Sequence, residues 1–220
     1  ADEVALAAVT PVLGQEIAIG QIMPWIAQWR FGLWRSKGPA AVFLFLGPTG
    51  TGKTQLAKEI ARNVFGDEEQ LLVMEMGEFQ SKESMNMFVG ARPGHVGYGK
   101  GKLTNGLRDK PECVVLFQRI EKAAIQILDQ LLCFVDEGVI SDPAGPVRDG
   151  RKCIIVLTTN AGEDWLRDRL SNHPDARSDP TLAEQLLKAG MKELLERGFR
   201  PEFLARVSER VIFLPHTLEA

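Results

Sequence analysis

Gly47-Pro48-Thr49-Gly50-Thr51-Gly52-Lys53-Thr54 combines the residue types that a phosphate chain requires. Glycines at 47, 50 and 52 leave room for backbone N–H groups to close on phosphate oxygens, where side chains would stand in the way. Lys53 supplies a mobile cation for the outer phosphates, and the Thr54 hydroxyl is placed to ligate Mg²⁺. The same letters also occur by chance, so the flanks decide their weight. The apolar run Ala41-Val42-Phe43-Leu44-Phe45-Leu46 leads into the loop, and Gln55-Leu56-Ala57-Lys58-Glu59-Ile60-Ala61 leaves it with helical character. Strand, glycine turn and helix N-terminus are the three parts the chemistry needs, the last adding the positive potential of the helix dipole. The expected ligand is ATP or ADP with Mg²⁺, held through Pro48, Thr49, Gly50, Thr51, Gly52, Lys53 and Thr54.

The elements that must position this loop can be read from apolar runs. Five of them, at 41–46, 71–76, 113–117, 153–158 and 210–214, are short and continuous, as suits strands covered on both faces of a parallel sheet. Helical patterns at 54–64, 123–136 and 181–196 separate them, so the spacing predicts a doubly wound α/β fold. Upstream, 16–34 has helical spacing, with Trp25, Trp29 and Trp34 as a packing stripe and Pro24 expected to kink or restart the helix. Residues 77–106 read as a long functional loop because glycines at 90, 94, 97, 99, 101 and 106 are too many for a rigid element. Residues 172–180 read as an exposed polar insertion.

Composition narrows the function classes. A chain of 220 residues suffices for one large α/β domain, and a net charge of −3 gives no electrostatic case for nucleic acid or an anionic membrane. No apolar stretch reaches the roughly 18 residues of a membrane span. Cys113, Cys133 and Cys153 read as buried thiols of a reducing compartment, which makes the cytoplasm the expected location. His, Cys, Asp and Glu show no metal-ligand spacing, and His173 and His216 sit in polar contexts that suggest no catalytic task.

The order of motifs from Val12 to Leu214 resembles the Clp group of AAA+ ATPases, and most closely the second nucleotide-binding module of its unfoldases and disaggregases. Val12-Leu13-Gly14-Gln15 is similar to the V-I-G-Q segment, whose first residues lie against adenine in that family. Phe43 to Thr54 is similar to its phosphate loop and the strand before it. Val89-Gly90-Ala91-Arg92-Pro93-Gly94-His95-Val96-Gly97-Tyr98-Gly99 resembles the pore loop I-G-A-P-P-G-Y-V-G-Y, which places His95, Val96 and Tyr98 at the polypeptide-gripping positions. Leu157-Thr158-Thr159-Asn160 resembles the stretch that ends in the polar γ-phosphate sensor. Phe199-Arg200-Pro201-Glu202-Phe203-Leu204-Ala205-Arg206 resembles F-R-P-E-F-L-N-R, whose last arginine reaches into the neighbouring subunit's site. The resemblance implies a three-layer AAA+ large subdomain over residues 10–215, with a five-stranded parallel sheet and helices on both faces. It treats residues 1–9 as an N-terminal extension and 216–220 as the start of a small helical lid that is largely missing. It implies a ring of like or related subunits, a hexamer in the family, acting on polypeptide.

Two departures bear on chemistry. Where the family has Asp-Glu after its third strand, this chain has Gln118-Arg119. In the family the aspartate anchors Mg²⁺ through water and the glutamate activates the attacking water. Gln118 brings no charge to a metal shell, and Arg119 stays protonated and cannot accept a proton. Three outcomes are open: hydrolysis slow or absent, Arg119 stabilising phosphate charge in partial place of the metal, or a substitute base, with Glu121 and Glu78 nearest in sequence. The second departure is His95 in place of the gripping Tyr, smaller, more polar and titratable near neutral pH; a surface histidine without a task is the plain alternative.

The expectation is thus an ATP-binding module of a Clp-type remodelling chaperone with impaired or lost hydrolysis. A regulatory or structural subunit using nucleotide as a static cofactor is the alternative. A DNA-linked loader is disfavoured by the acidic balance and by the lack of a basic patch interleaved with aromatic residues.

Overall fold

A computed structural model describes residues 16–33 and 37–215, apart from the side chains of residues 16, 17, 177 and 178. Val12, Leu13, Trp34 and His216 lie outside the described residues. Five strands form one parallel sheet: β1 (Ala41–Leu46), β2 (Leu71–Glu75), β3 (Val114–Gln118), β6 (Ile154–Thr159) and β7 (Glu209–Ile212), in the order β2-β3-β6-β1-β7. A separate two-residue hairpin pairs β4 (Val139–Ile140) with β5 (Arg148–Asp149). The expected sheet is therefore present, with ends displaced by one or two residues; the last strand closes at Ile212 rather than 214.

Alternation along the central strands explains why they read as unbroken apolar runs. Val42, Leu44, Val115, Phe117, Ile155 and Leu157 enter one core, while Phe43, Phe45, Val114, Leu116, Ile154 and Val156 enter the other. The first core is closed by α4 (Lys102–Asp109), α5 (Ile125–Glu137) and α8 (Pro201–Ala205), through Leu103, Leu107, Leu131, Phe134, Phe203 and Leu204. The second is closed by α1 (Glu16–Arg30) and α2 (Lys53–Phe65), through Ile22, Ile26, Leu56 and Ile60. Helix α1 runs on through Pro24 without restarting. Its apolar stripe is Ala18, Ile19, Ile22 and Ile26, with Trp25 and Trp29 half-buried beside it. A smaller cluster of Leu46, Leu166, Leu182 and Leu186 joins the end of β1 to α6 (Glu163–Asn172) and α7 (Leu182–Glu196).

Two expectations need correcting. Residues 77–106 are not one loop: they carry 3-10 turns at Met76–Glu78 and Lys82–Ser84, the short helix α3 (Met85–Phe88) and the start of α4. Gly106 sits inside α4 because the helix lies hard against β2, where a Cβ would meet the Leu72 side chain at 2.4 Å. Residues 172–180 are mostly exposed, as expected, and hold a 3-10 turn, Pro174–Ser178, that buries Ala176. Cys133 is exposed, on the outer side of α5, whereas Cys113 and Cys153 are buried as free thiols with their sulfurs 3.9 Å apart.

Candidate nucleotide site

The loop between β1 and α2 sits at the C-terminal edge of the sheet, where α/β folds of this type bind ligands. Gly47 leaves β1 with its N–H on the Thr159 carbonyl at 3.3 Å. A side chain there is impossible, since a Cβ would lie 2.2 Å from the Phe213 carbonyl oxygen. Gly50 and Gly52 take left-handed φ of 81° and 93°, and Gly52 caps α2. Thr51 braces the turn by donating to the Pro48 carbonyl at 2.9 Å. Lys53 opens α2 and folds back, its Nζ donating to the Gly47 and Pro48 carbonyls, each at 2.6 Å.

A cleft of about 350 Å³ opens over this loop, lined by Thr49, Gly50, Gly52, Lys53, Thr54, Gln55, Glu75, Gln118, Arg119, Thr158 and Asn160. Thus Asn160, Gln118 and Arg119 converge on the phosphate loop from the ends of β6 and β3. Asn160 donates to the Thr49 hydroxyl at 2.9 Å. Gln118 donates its amide to the Thr54 hydroxyl at 2.9 Å. Arg119 adopts φ 56° and ψ 57°, the only non-glycine positive φ among the described residues, and its N–H donates to the Thr158 hydroxyl at 3.2 Å. Its guanidinium pairs with Glu75 at the end of β2, at 3.0 and 3.1 Å.

Burial shapes the charge of the loop. Lys53 is 8 % exposed, and its pKa is lowered from 10.5 to about 8. Desolvation of the ammonium is the main cause, with Glu163 and then Glu121 acting in the opposite direction. Neither of these carboxylates lines the cleft. The two substitute bases considered from sequence are therefore not in place: Glu78 pairs with Lys102, and Glu121 lies outside the lining with one carboxylate oxygen buried and unpartnered. Glu75 and Glu163 were missed from sequence. Glu75 had one available signal, since equal strand ends put it in register with Gln118.

The family model described as AAA domain (Cdc48 subfamily) matches residues 38–210, from the approach to β1 into β7. The chain belongs to this AAA family. It is 41 % identical over 210 residues to the chaperone protein ClpB of Aquifex aeolicus, covering 94 % of this chain and 20 % of that one. To the ClpC ATP-binding subunit of the ATP-dependent Clp protease of Staphylococcus aureus it is 40 % identical over 209 residues, covering 94 % and 25 %. The Hsp104–ADP complex of S. cerevisiae superimposes with a TM-score of 0.79 at 34 % identity, over 97 % of this chain and 35 % of that one. A closed-state Hsp104 reconstruction with ATPγS and FITC-casein gives 0.78 at 32 % identity, over 96 % and 34 %. The chain is thus a Clp-type AAA+ module with the large-subdomain fold, and it spans about a fifth to a quarter of the curated relatives it matches.

Two expected site groups of this AAA module lie away from the cleft. Arg206 pairs with Asp136 at 2.9 Å and lines a separate cavity of about 380 Å³ with Lys37, Val135 and Ser208. His95, Val96 and Tyr98 sit on an exposed loop whose base is tied by a bridge between Ala91 and Tyr98 and by the Thr104 hydroxyl donating to the Val89 carbonyl at 3.0 Å. Val96 is 93 % exposed.

The lining fits a nucleotide's phosphates and does not fit Mg²⁺. Free loop amides, Lys53 and Arg119 supply donors and positive charge to anionic oxygens. Mg²⁺ takes oxygen ligands, usually one or two carboxylates together with substrate phosphates and waters. The Thr54 hydroxyl faces an amide donor, and among the described residues Glu75 is the only carboxylate in the lining, set against two cations, Lys53 and Arg119.

Proposed function

We propose that this module binds ATP and ADP within a Clp-type protein-remodelling machine, and that it hydrolyses ATP slowly or not at all. The observation that carries the reading is the pairing at the end of β3: Gln118 on Thr54, Arg119 on Glu75. Neither Gln118 nor Arg119 can accept a proton from water, and a base must lie within hydrogen-bond reach of the proton it takes. Nucleotide would then act through binding, by ordering the phosphate loop and Asn160.

Assembly belongs to the same proposal. Arg206 lies outside its own chain's phosphate cleft, half-exposed, in a position suited to a neighbouring copy or related subunit in a hexameric ring. The exposed His95, Val96 and Tyr98 would face a polypeptide. Among the described residues no helix is long and apolar enough to cross a membrane. We place the module in the cytoplasm, where the free thiols of Cys113 and Cys153 would stay reduced.

Two measurements test this. Fluorescent ATP should bind the wild type and fail to bind Lys53→Ala; equal binding by both would refute the site. Phosphate release should be negligible in the wild type and rise in Gln118→Asp/Arg119→Glu. Turnover near 1 s⁻¹ or faster by the unaltered protein, on the order of ordinary phosphoryl-transfer rates, would refute the loss of hydrolysis.

A further inference from the structure

We propose that the cleft takes its nucleotide triphosphate free of divalent cation, with Arg119 occupying the electrostatic role that a metal would fill. The inference rests on the reading of this cleft as a nucleotide site and specifies the form in which the nucleotide is held. Among the described residues three charged side chains line the cleft: Lys53 and Arg119 against Glu75, one positive charge in all. An acidic pair at 118 and 119 would have made the same lining negative by two, the field that draws a divalent cation in. The change of three charges runs against Mg²⁺ and in favour of an uncomplexed polyanion.

The local contacts agree. Metal coordination at Thr54 requires the hydroxyl oxygen's lone pairs, and one of these accepts from the Gln118 amide. Turning that amide over would present a neutral oxygen, so the protein would still offer a metal no negative charge at residue 118. Arg119, by contrast, is free to change partner. Its bridge to Glu75 is between side chains 48 % and 30 % exposed, a class of pair that contributes little. A guanidinium on a phosphate makes two parallel charge-assisted hydrogen bonds, which are stronger, so the phosphate wins the contest for Arg119. The left-handed turn at residue 119 and its N–H bond to Thr158 fix the root of the side chain beside the cleft while its tip exchanges Glu75 for phosphate.

The test is titration of mant-ATP into the full chain in excess EDTA and again in millimolar MgCl₂. The expected result is binding in EDTA at least as tight as in Mg²⁺. Arg119→Gln should weaken the EDTA affinity by roughly ten- to a hundred-fold, the span of a charge-assisted hydrogen bond. Gln118→Asp/Arg119→Glu should reverse the preference, binding better with Mg²⁺ than without. Each variant's thermal unfolding is recorded, and the wild-type EDTA/Mg²⁺ comparison stands alone if a variant does not fold. Binding by the wild type only when Mg²⁺ is present overturns this inference and leaves the nucleotide site standing. No binding under either condition overturns both. An Arg119→Gln affinity in EDTA equal to wild type removes Arg119 from the role.

Discussion

The buried ammonium of Lys53 makes nucleotide binding a proton-coupled event in an accessible pH range. In the free cleft its pKa is about 8, because burial penalises the charge more than Glu163 and Glu121 offset it. A phosphate chain against the same nitrogen favours the ammonium and raises that pKa again, so the complex holds a proton that the free protein has partly released. At pH 8.5 a group of pKa 8 is about one quarter protonated, and binding should therefore take up about three quarters of a proton. Uptake should be small at pH 7, where the lysine is already about nine-tenths charged, and the apparent affinity should be about four-fold weaker at pH 8.5 than at pH 7. Calorimetry of ATP binding in two buffers of different ionisation enthalpy reads the uptake directly. The γ-phosphate is fully ionised at pH 8.5 and adds nothing of the opposite sign. Lys53→Arg, charged throughout, should show none of this uptake. A wild-type value below about 0.2 proton at pH 8.5 would refute the argument: either Lys53 is charged in the free cleft, or it does not meet the phosphates.

Other outcomes follow from the same structure. With the unfolded chain holding the Lys53 proton up to pH 10.5 and the free fold releasing it near 8, stability of the unliganded protein should rise between these values, by up to about 3 kcal/mol, in chemical denaturation at stepped pH. Gly47→Ala puts a methyl 2.2 Å from the backbone oxygen of Phe213 and should lower the melting temperature sharply or abolish folding, costing about 3 kcal/mol or more; a melting temperature within a degree of wild type would contradict the packing. Gly190→Ala, with Leu46 at 2.4 Å and the Ala161 carbonyl at 2.8 Å, should cost roughly 1–3 kcal/mol in urea unfolding. Asp142 is 5 % exposed and holds Arg148 through two bonds at 3.0 and 2.6 Å, so Asp142→Ala leaves a half-stranded guanidinium and should cost about 3–5 kcal/mol by the same assay.

The sequence and the structure agree best where a signal is local and apolar. Strands β1, β3 and β6 are continuous runs because both faces are covered, and the phosphate loop is recognisable because backbone space, not side-chain contact, defines it. Helix α6 is faint in the sequence because Glu163–Asn172 fully buries only Leu166, with Trp165 and Leu170 half-covered beside it. Helix α4 is hidden in the sequence because Gly106 signals looseness there, when its missing side chain is what admits Leu72. Cys133 was misplaced by treating an amphipathic helix as an apolar run: Leu131 and Phe134 beside it are buried, and it is not. The substitutions at 118 and 119 were visible, but their partners were not. Glu75 is 44 residues from Arg119 and Thr54 is 64 from Gln118, distances that only the sheet register and the loop bring to contact.

The clamped base of the His95 loop has a mechanical corollary. Val89 is fastened to α4 through Thr104, and Gly101 leaves no slack there, since a Cβ on it would strike the Val89 backbone at 2.4 Å. Helix α4 in turn seats on Leu72 of β2, the strand that ends in Glu75. Tension applied at Val96 would therefore run along stiff parts, from tip to helix to strand, and arrive at the carboxylate that shares Arg119.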